Sequence, residues 1–320
     1  MALAILFAAP SPCTTVGATT THPVRNVTTV EIEKAVIEGS RFFNNVNHNP
    51  LADTERVELV IDDARNYMLV TDREFDVIIS EPSNPWICGA SNLFTQEYFR
   101  LGKARLRDDG VFAQWLQLYG MALDDLRSLF ATYCSVFDHV LVFETIESTD
   151  LVLLGSRRPL SIDVGRLAAG MAHPQVKADL ERIVVNDVAG LLSYFLMGTN
   201  EIRKFAIGAP LNTDDNGLIE FSSPKHLHEN SQIANAVALD CVMSTVQPYL
   251  VNYGNTRQAR ALMLAAIAQQ CHKRELKPRA LRLAEAAIAL SDTPRLRKAL
   301  AGIPSEPIST NTAAPPRQEP

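Results

Sequence analysis

Two apolar segments that lie close together in the chain, at 139–146 and 151–156, constrain the fold more than any other feature. Only the four residues 147–150 separate them. A crossover between parallel strands needs about a dozen residues or more, so strands this close must pair as an antiparallel hairpin. Any fold for this chain must therefore close a run of strands with a hairpin.

Before the hairpin, short apolar segments alternate with segments whose apolar residues recur at helical spacing. Strands are predicted at 3–8, 26–30, 57–61, 75–80 and 111–116, and helices at 34–43, 64–70, 93–106 and 124–137. A turn at 109–110 is predicted to separate the third of these helices from the fifth strand. This alternation is typical of a parallel sheet with helices on both faces. Five parallel strands closed by a hairpin predict an α/β, Rossmann-like fold of the S-adenosylmethionine-dependent methyltransferase type, with a mostly parallel seven-stranded sheet.

Four regions are predicted along the chain. They are the Rossmann-like domain at 1–158, an extension packed on it at 159–225, a helical C-terminal region at 226–302 and a disordered tail at 303–320. The helical region is rich in Ala and Leu at helical spacing, and the tail is rich in proline and polar residues. Two interpretations of the C-terminal helices stay open: docking onto the main domain, and pairing between subunits of a homodimer.

Composition and charge exclude several classes of function. The chain is 47% hydrophobic and 21% charged with a formal net charge of −6, which argues against a nucleic-acid partner. Its five cysteines show neither a CxxC motif nor a Cys/His spacing, so no disulfide framework and no metal site are predicted. The short apolar N-terminus lacks a basic segment, and no apolar run reaches the length of a membrane helix. We therefore expect a cytoplasmic protein.

Acidic residues follow three of the predicted strands. Glu31 and Glu33 follow the second strand, Asp62 and Asp63 the third, and Glu81 the fourth. A single acid at such a position more often marks the start of a helix, where the dipole favours negative charge. Because the carboxyl ends of parallel strands share one edge of the sheet, three such positions together predict a ligand site there.

Each of these acids has a chemical task that its position allows. An acid just after the second strand can accept two hydrogen bonds from a ribose diol. Asp63 is placed to meet an adenine amino group, and Glu81 faces the group that reacts. A carboxylate in such a cleft can hold a cationic amine and take its proton, if its surroundings raise its pKa.

Several motifs in this region resemble those of the polyamine aminopropyltransferases, the spermidine synthase family. They are VEIE at 30–33, DDARNYM at 62–68 and DVIISEPSNPW at 76–86 followed by SNLFTQEYF. The motifs SEPSNPW and QWLQLYG are closest to a bacterial spermidine synthase-like branch that is often fused to membrane segments. The resemblance covers about residues 1–225.

The resemblance implies transfer of an aminopropyl group from decarboxylated S-adenosylmethionine to a diamine such as putrescine, with release of methylthioadenosine. The nucleoside donor is a co-substrate, and no cofactor or metal is implied. By position, Glu31 would bind the ribose hydroxyls, and Asp62, Asp63 and Ala64 would hold the adenine side. Glu81 would replace the catalytic aspartate that deprotonates or orients the attacking amine.

The acceptor side departs from the family pattern. Synthases carry an aspartate followed three residues later by a second aspartate, whereas this chain has Glu81 and Asn84. Asn84, Gln114 and Tyr119 are predicted to line the acceptor pocket, with packing in the core as the alternative for Gln114 and Tyr119. A longer carboxylate and a lost charge leave open an acceptor other than putrescine.

The donor side departs from the pattern as well. The family has a glycine-rich turn after its first strand, but residues 9–13 contain no glycine and two prolines, Pro10 and Pro12. We expect an impaired donor loop, from a truncated or misread start that also lost an upstream membrane portion. Two alternative functions therefore remain: an inactive or nucleoside-binding relative, and a methyltransferase that uses intact S-adenosylmethionine.

Overall fold

The computed structural model describes residues 4–8, 13–254 and 256–303 of the 320-residue chain. The predictions for residue 3, for the glycine-free segment 9–12 and for the tail from 304 onward lie outside these residues. The described chain divides into two compact units, of which the first ends at Tyr253 and the second begins at Gly254. The helical region predicted at 226–302 is therefore divided between the two units.

The described part of the first unit contains ten strands. They are β1 Ala4–Ala8, β2 Asn26–Glu31, β3 Val57–Ile61, β4 Phe75–Ser80, β5 Leu106–Gln117, β6 His139–Ile146, β7 Asp150–Ser156, β8 Ile162–Asp163, β9 Phe195–Gly198 and β10 Leu250–Val251. The main sheet has the order β3-β2-β1-β4-β5-β7-β6-β9, and β8 pairs separately with β10. β1 to β5 are parallel, and β7 runs antiparallel to both β5 and β6. The methyltransferase-type fold and its closing hairpin are confirmed.

The sheet has eight strands rather than the seven predicted. The additional strand, β9, pairs antiparallel with β6, with Gly198 beside Leu141 and Met197 beside Val142. All four residues of β9 are buried, so the segment lacks the alternation of apolar and polar residues that marks a strand in sequence.

The fifth strand begins earlier than predicted, and the turn expected at 109–110 is absent. β5 starts at Leu106, which lies beside Phe75, while Val111 lies beside Val77. Residues 107–110 therefore bulge opposite Asp76 alone. Arg107 lies within this bulge, and its guanidinium is 2.7 Å from the Asp76 carboxylate, which holds the bulge against β4.

Eleven helices belong to the described part of the first unit. They are α1 Thr14–Thr20, α2 Lys34–Ser40, α3 Ala64–Val70, α4 Gln96–Arg105, α5 Leu123–Val136, α6 Val164–Met171, α7 Pro174–Arg182, α8 Val188–Leu192, α9 Thr199–Phe205, α10 Leu218–Ser222 and α11 Ser231–Asp240. The helix predicted at 93–106 begins only at Gln96, because the hydroxyl of Thr95 accepts the Tyr98 N–H and caps it. The helix predicted at 34–43 ends at Ser40 and continues as a 3₁₀ turn.

The two faces of the sheet bury separate apolar clusters. Ile78 and Phe112 pack with Tyr98 of α4 and Tyr133 of α5 on one face. Phe7 packs on the other face in a cluster that also includes Val16 of α1. Side chains alternate between the two faces along a strand. A strand residue that belongs to the first cluster therefore points toward α4 and α5, and its neighbours in the strand point toward α1.

The second unit consists, in its described part, of α12 Arg257–Lys273, α13 Lys277–Leu290 and α14 Pro294–Ala299. α12 and α13 pack on each other and bury small and aliphatic residues such as Leu264, Ala268 and Ala280. Gln269 Nε2 donates to the Ala299 carbonyl at 2.9 Å and ties α12 to the end of α14. Among the described residues, no helix has both the length and the apolar character needed to cross a membrane.

Candidate active site

The order of the strands creates a crevice beside β1. β1 pairs with β2 on one side and with β4 on the other. The chain therefore extends the sheet in one direction after β1 and in the opposite direction after β4. Open α/β sheets bind their ligands at such a point, outside the carboxyl ends of the strands. α1 and the loop that begins at Glu81 flank this crevice.

Glu31 ends β2 and is only 3% exposed. Its Oε1 accepts the Glu33 N–H at 2.9 Å, whereas its Oε2 is buried and has no hydrogen-bond partner within the described chain. Burial raises the pKa of Glu31, and backbone N–H groups of residues 33 and 32 partly offset this. A buried acceptor without a partner is costly, so Oε2 is suited to a donor that a ligand brings, such as a ribose hydroxyl.

A pocket of about 260 Å³ lies next to Glu31. It is formed by the ends of β2 and β3 and by the loop after β4. Its lining residues are Val30, Glu31, Ile32, Asp63, Ala64, Pro82, Ser83, Cys88, Gly89, Ala90 and Leu93. The structure thus brings together three of the four residues predicted for the nucleoside: Glu31, Asp63 and Ala64.

The two aspartates after β3 differ in their placement. Asp63 lines the pocket and caps α3, since its Oδ1 accepts the Asn66 N–H at 2.8 Å. Asp62 does not line the pocket, and its Oδ1 accepts the Asp63 N–H at 2.8 Å. Asp62 therefore shapes the turn that presents Asp63.

Glu81 follows β4 and is partly buried. Thr15 Oγ1, in the first turn of α1, donates a hydrogen bond of 2.8 Å to Glu81 Oε2. Burial raises the pKa of Glu81, the Thr15 hydrogen bond lowers it, and repulsion from the Asp150 carboxylate raises it further. The result is a carboxylate that takes up a proton more readily than an exposed glutamate does.

Asn84 and Trp86, which follow Glu81 closely in sequence, form one group with Tyr119 from the end of β5. Asn84 Nδ2 donates to Tyr119 Oη at 3.3 Å, and the Trp86 ring packs edge-on against the Tyr119 ring with centroids 6.1 Å apart. Gly120 has φ +65°, and a Cβ there would lie 2.7 Å from the Trp86 ring. The structure thus brings Asn84 and Tyr119 together, and Gly120 lets Trp86 cover them.

Gln114 does not join these residues. It lies between Phe112 and Leu116, whose side chains belong to the cluster around α4 and α5, and it is 2% exposed. Its Nε2 donates to the Trp115 carbonyl at 3.0 Å. Since Glu81 contacts α1 on the opposite face, the structure separates Gln114 from Glu81, contrary to the shared acceptor pocket predicted from sequence.

Two polar residues at the same edge, Gln117 and Asp150, are not among the site residues predicted from sequence. Gln117 ends β5 and Asp150 begins β7, and the two are direct partners in the antiparallel ladder. Gln117 is fully buried, and neither of its amide atoms has a hydrogen-bond partner among the described residues. Asp150 Oδ1 is likewise buried without a partner there. Burial raises the pKa of Asp150, and a hydrogen bond from Trp115 lowers it.

A signal for Asp150 was present in the sequence. The second strand of a hairpin runs back, so its first residue lies at the edge where the parallel strands end. An acid at that position therefore belongs with Glu31, Asp63 and Glu81. No three His, Cys, Asp or Glu side chains in the described ranges are grouped so that they could hold a metal ion.

Comparison with known proteins confirms the resemblance predicted from sequence. Residues 15–144 match the model of the spermine/spermidine synthase domain. A polyamine aminopropyltransferase from Thermococcus onnurineus is 32% identical over 136 residues, which are 42% of this chain and 45% of the relative. A spermidine synthase from Dictyostelium discoideum is 39% identical over 114 residues, 35% of this chain and 39% of the relative.

The chain spans less than half the length of these two relatives. A solved structure of a probable spermidine synthase from Corynebacterium glutamicum is 21% identical with a TM-score of 0.46, covering 66% of this chain and 72% of that one. The strand order of the main sheet, rather than this likeness, identifies the fold. The membrane-fused branch stays a prediction.

Proposed function

We propose that this chain, whose residues 15–144 match the model of the spermine/spermidine synthase domain, is an aminopropyltransferase. It would transfer an aminopropyl group from decarboxylated S-adenosylmethionine to a polyamine-type amine and release methylthioadenosine. The observation that carries the proposal is Glu81, a partly buried carboxylate at the crevice whose pKa is raised by burial and whose oxygen is held by Thr15. Such a group can position an amine and accept its proton.

The donor side of the proposal depends on Glu31 and Asp63. The unpartnered Oε2 of Glu31 would accept hydrogen bonds from the ribose hydroxyls of the donor. Asp63 lines the same pocket and would meet the adenine amino group. Both carboxylates would also suit the positive charge that the sulfonium carries.

In the transfer step, the amine nitrogen attacks the propyl carbon next to the sulfonium. A carbon–nitrogen bond forms, the carbon–sulfur bond breaks, and its electron pair remains on sulfur in the neutral thioether product. The attacking nitrogen loses one proton, for which Glu81 is the candidate base. Alignment of the amine with the carbon, in a site that excludes water, supplies most of the acceleration expected.

The acceptor side favours aminopropyl transfer over methylation of a neutral group. Glu81 and Asp150 are close enough for the charge of Asp150 to raise the pKa of Glu81. Two carboxylates that repel each other in a cleft are stabilised by a cation between or beside them. An ammonium-bearing acceptor is such a cation.

The test is a product assay with the purified chain, decarboxylated or intact S-adenosylmethionine, and a panel of amines. Methylthioadenosine formed from the decarboxylated donor supports the proposal, and S-adenosylhomocysteine from the intact donor would indicate a methyltransferase instead. Binding of methylthioadenosine without any product would indicate a nucleoside-binding relative.

Glu81→Gln provides the residue-level test. Loss of the base should lower kcat about 10²- to 10⁴-fold while donor binding is retained. Glu74→Gln is the matched control, because Glu74 is exposed at the opposite end of β4. Equal activity of the two variants would contradict the role of Glu81.

A further inference from the structure

We infer that Cys88 is a modification site, at which a mixed disulfide with a small, cation-bearing thiol blocks the pocket beside Glu31. The inference rests on the proposed function in one respect, the assignment of this pocket to the nucleoside. It adds a means of regulation to that site. The oxidised chain would lose donor binding, and the reduced chain would regain it.

A tight turn holds Cys88 at the wall of this pocket. Cys88 lines the pocket of about 260 Å³ together with Gly89 and Ala90. The Ala90 N–H donates to the Ile87 carbonyl at 3.0 Å, and Gly89 has φ +86°, as the third residue of a type II turn requires. Cys88 is the second residue of that turn. A hydrogen-bonded stretch of backbone therefore presents the thiol to the pocket.

Exposure distinguishes Cys88 from most other cysteines of the described chain. Cys88 is exposed. Burial raises the pKa of the Cys13 thiol, that of Cys134 to about 12 and that of Cys271 to about 11. A thiol exchanges through its thiolate and where a reagent can reach it, so these three are protected. Cys241 is exposed as well, but it follows α11 and does not line the pocket, which makes it an internal reference.

Glu31 indicates independently that a polar ligand enters this pocket. It lines the pocket and is 3% exposed, and its Oε2 has no hydrogen-bond partner within the described residues. A buried acceptor of this kind is suited to a donor from outside the chain. At about 260 Å³ the pocket is smaller than most ligand pockets. A group bonded to Cys88 and a nucleoside would therefore exclude each other.

The charges of the pocket select a cationic partner. Glu31 and Asp63 both line it, and none of its described lining residues is a lysine or an arginine. An ammonium group is attracted to such a site, and a carboxylate is repelled. In the exchange, the Cys88 sulfur attacks one sulfur of a small disulfide, a new sulfur–sulfur bond forms and the old one breaks. The released thiol takes the proton that Cys88 gives up, and an excess of small thiol reverses the step.

The test treats the purified chain with cystamine, which carries two ammonium groups, or with 3,3′-dithiodipropionate, which carries two carboxylates. Mass spectrometry follows the modification of Cys88 and Cys241, which lie on different tryptic peptides. We expect cystamine to modify Cys88 about fivefold faster than Cys241 or more, and the dianionic disulfide to show no such preference. In calorimetry, methylthioadenosine binding should be lost after cystamine treatment and return after dithiothreitol.

Three variants identify the residues responsible. Cys88→Ser should bind methylthioadenosine equally before and after cystamine treatment. Cys241→Ser is the matched control and should lose binding on treatment as the wild type does. Asp63→Asn keeps a side chain that can cap α3 and should diminish the preference of Cys88 for cystamine. Binding that survives full modification of Cys88, or an undiminished preference in Asp63→Asn, would overturn the inference.

The outcomes also distinguish this inference from the proposed function. Aminopropyl transfer that continues unchanged after full modification of Cys88 would overturn only the inference. Loss of methylthioadenosine binding on modification, in a chain that forms no product from the decarboxylated donor, would support the inference and refute aminopropyl transfer. A reduced wild type that does not bind methylthioadenosine would refute the inference and the proposed donor site together.

Discussion

Thr15 Oγ1 donates a hydrogen bond of 2.8 Å to Glu81 Oε2 and so joins the first turn of α1 to the loop after β4. The two residues are 66 positions apart in sequence and meet at the crevice beside β1. Through this contact the Thr15 hydroxyl lowers the pKa of Glu81, against the burial that raises it. The hydrogen bond thus links the position of α1 to the protonation of Glu81.

Thr15→Val should shift the pH dependence of catalysis to higher pH. The Thr15 hydrogen bond lowers the pKa of Glu81, so its removal raises that pKa. A carboxylate acting as a base works above its pKa, and kcat/KM therefore rises with pH through it. We expect roughly a tenfold loss of kcat/KM on the acidic side of this rise and little change at its plateau, because a hydrogen bond to a charged group contributes about 1.5–3 kcal/mol.

Two variants control this experiment. Thr15→Ser keeps the hydroxyl and should restore the wild-type profile. Thr19→Val lies one turn further along α1, where the hydroxyl bonds only to the Thr15 carbonyl among the contacts described, and should leave the profile in place. If kcat/KM of Thr15→Val rises at the same pH as that of the wild type, Glu81 is not the titrating base.

Glu31→Gln should weaken donor binding. The glutamine can still accept the Glu33 N–H, but it replaces the free carboxylate oxygen that we expect to meet the ribose hydroxyls. Hydrogen bonds to charged groups contribute about 1.5–3 kcal/mol, so the affinity for methylthioadenosine in calorimetry should fall about 10- to 100-fold. Glu33→Gln, at the exposed start of α2, should bind within about threefold of the wild type. Similar losses in both variants would refute a specific role of Glu31.

Glu81→Gln should stabilise the ligand-free chain at neutral pH. Burial raises the pKa of Glu81 above its ordinary 4.5, so the stability that accompanies the protonated carboxyl is complete below the unfolded-state pKa and is lost as pH rises through the folded-state pKa. Glutamine avoids this loss. The free energy of unfolding should exceed that of the wild type at pH 7 on the order of 1 kcal/mol, and the difference should shrink toward pH 4.5. A difference independent of pH in denaturant titrations would refute the burial argument.

Gly120→Ala should destabilise the first unit and disturb the acceptor side. Its φ of +65° is unfavourable for alanine, and the new Cβ would lie 2.7 Å from the Trp86 ring. Backbone strain and overpacking together suggest a loss of about 2–4 kcal/mol in thermal or denaturant unfolding. Gly39→Ala is the matched control, because no neighbouring atom lies within 4 Å of its new Cβ and α2 should gain about 0.5–1 kcal/mol. Equal effects of the two substitutions would contradict the proposed support of Trp86.

Much of the first unit could be predicted from sequence because its strands are short apolar segments that alternate with segments of helical periodicity. Apolar runs such as 57–61 and 75–80 match the observed strands in both position and length. β9 was missed because four buried residues without alternation carry no strand signal of their own, and pairing with β6 makes the strand. The early start of β5 was missed for a related reason, since the bulge depends on the contact of Arg107 with Asp76.

The candidate site was predictable only as far as sequence order determines position. Acids that directly follow parallel strands, such as Glu31 and Asp63, could be placed at one edge without knowledge of the register. Whether Gln114 or Gln117 faces that edge depends on which face each residue of β5 takes, and this follows from pairing with β7. Local sequence does not specify that pairing.

The length of the outermost strands has a consequence for association between chains. β3 and β9 end the sheet and have five and four residues, whereas the interior strand β5 has twelve. A sheet edge offers its unpaired backbone groups to other chains in proportion to its length, and charge on the edge opposes such pairing. β3 carries Glu58, whose carboxylate pairs with Arg73 at 2.5 Å. Because its edge strands are short and one of them carries a charged residue, this sheet is a poor template for aggregation by strand addition.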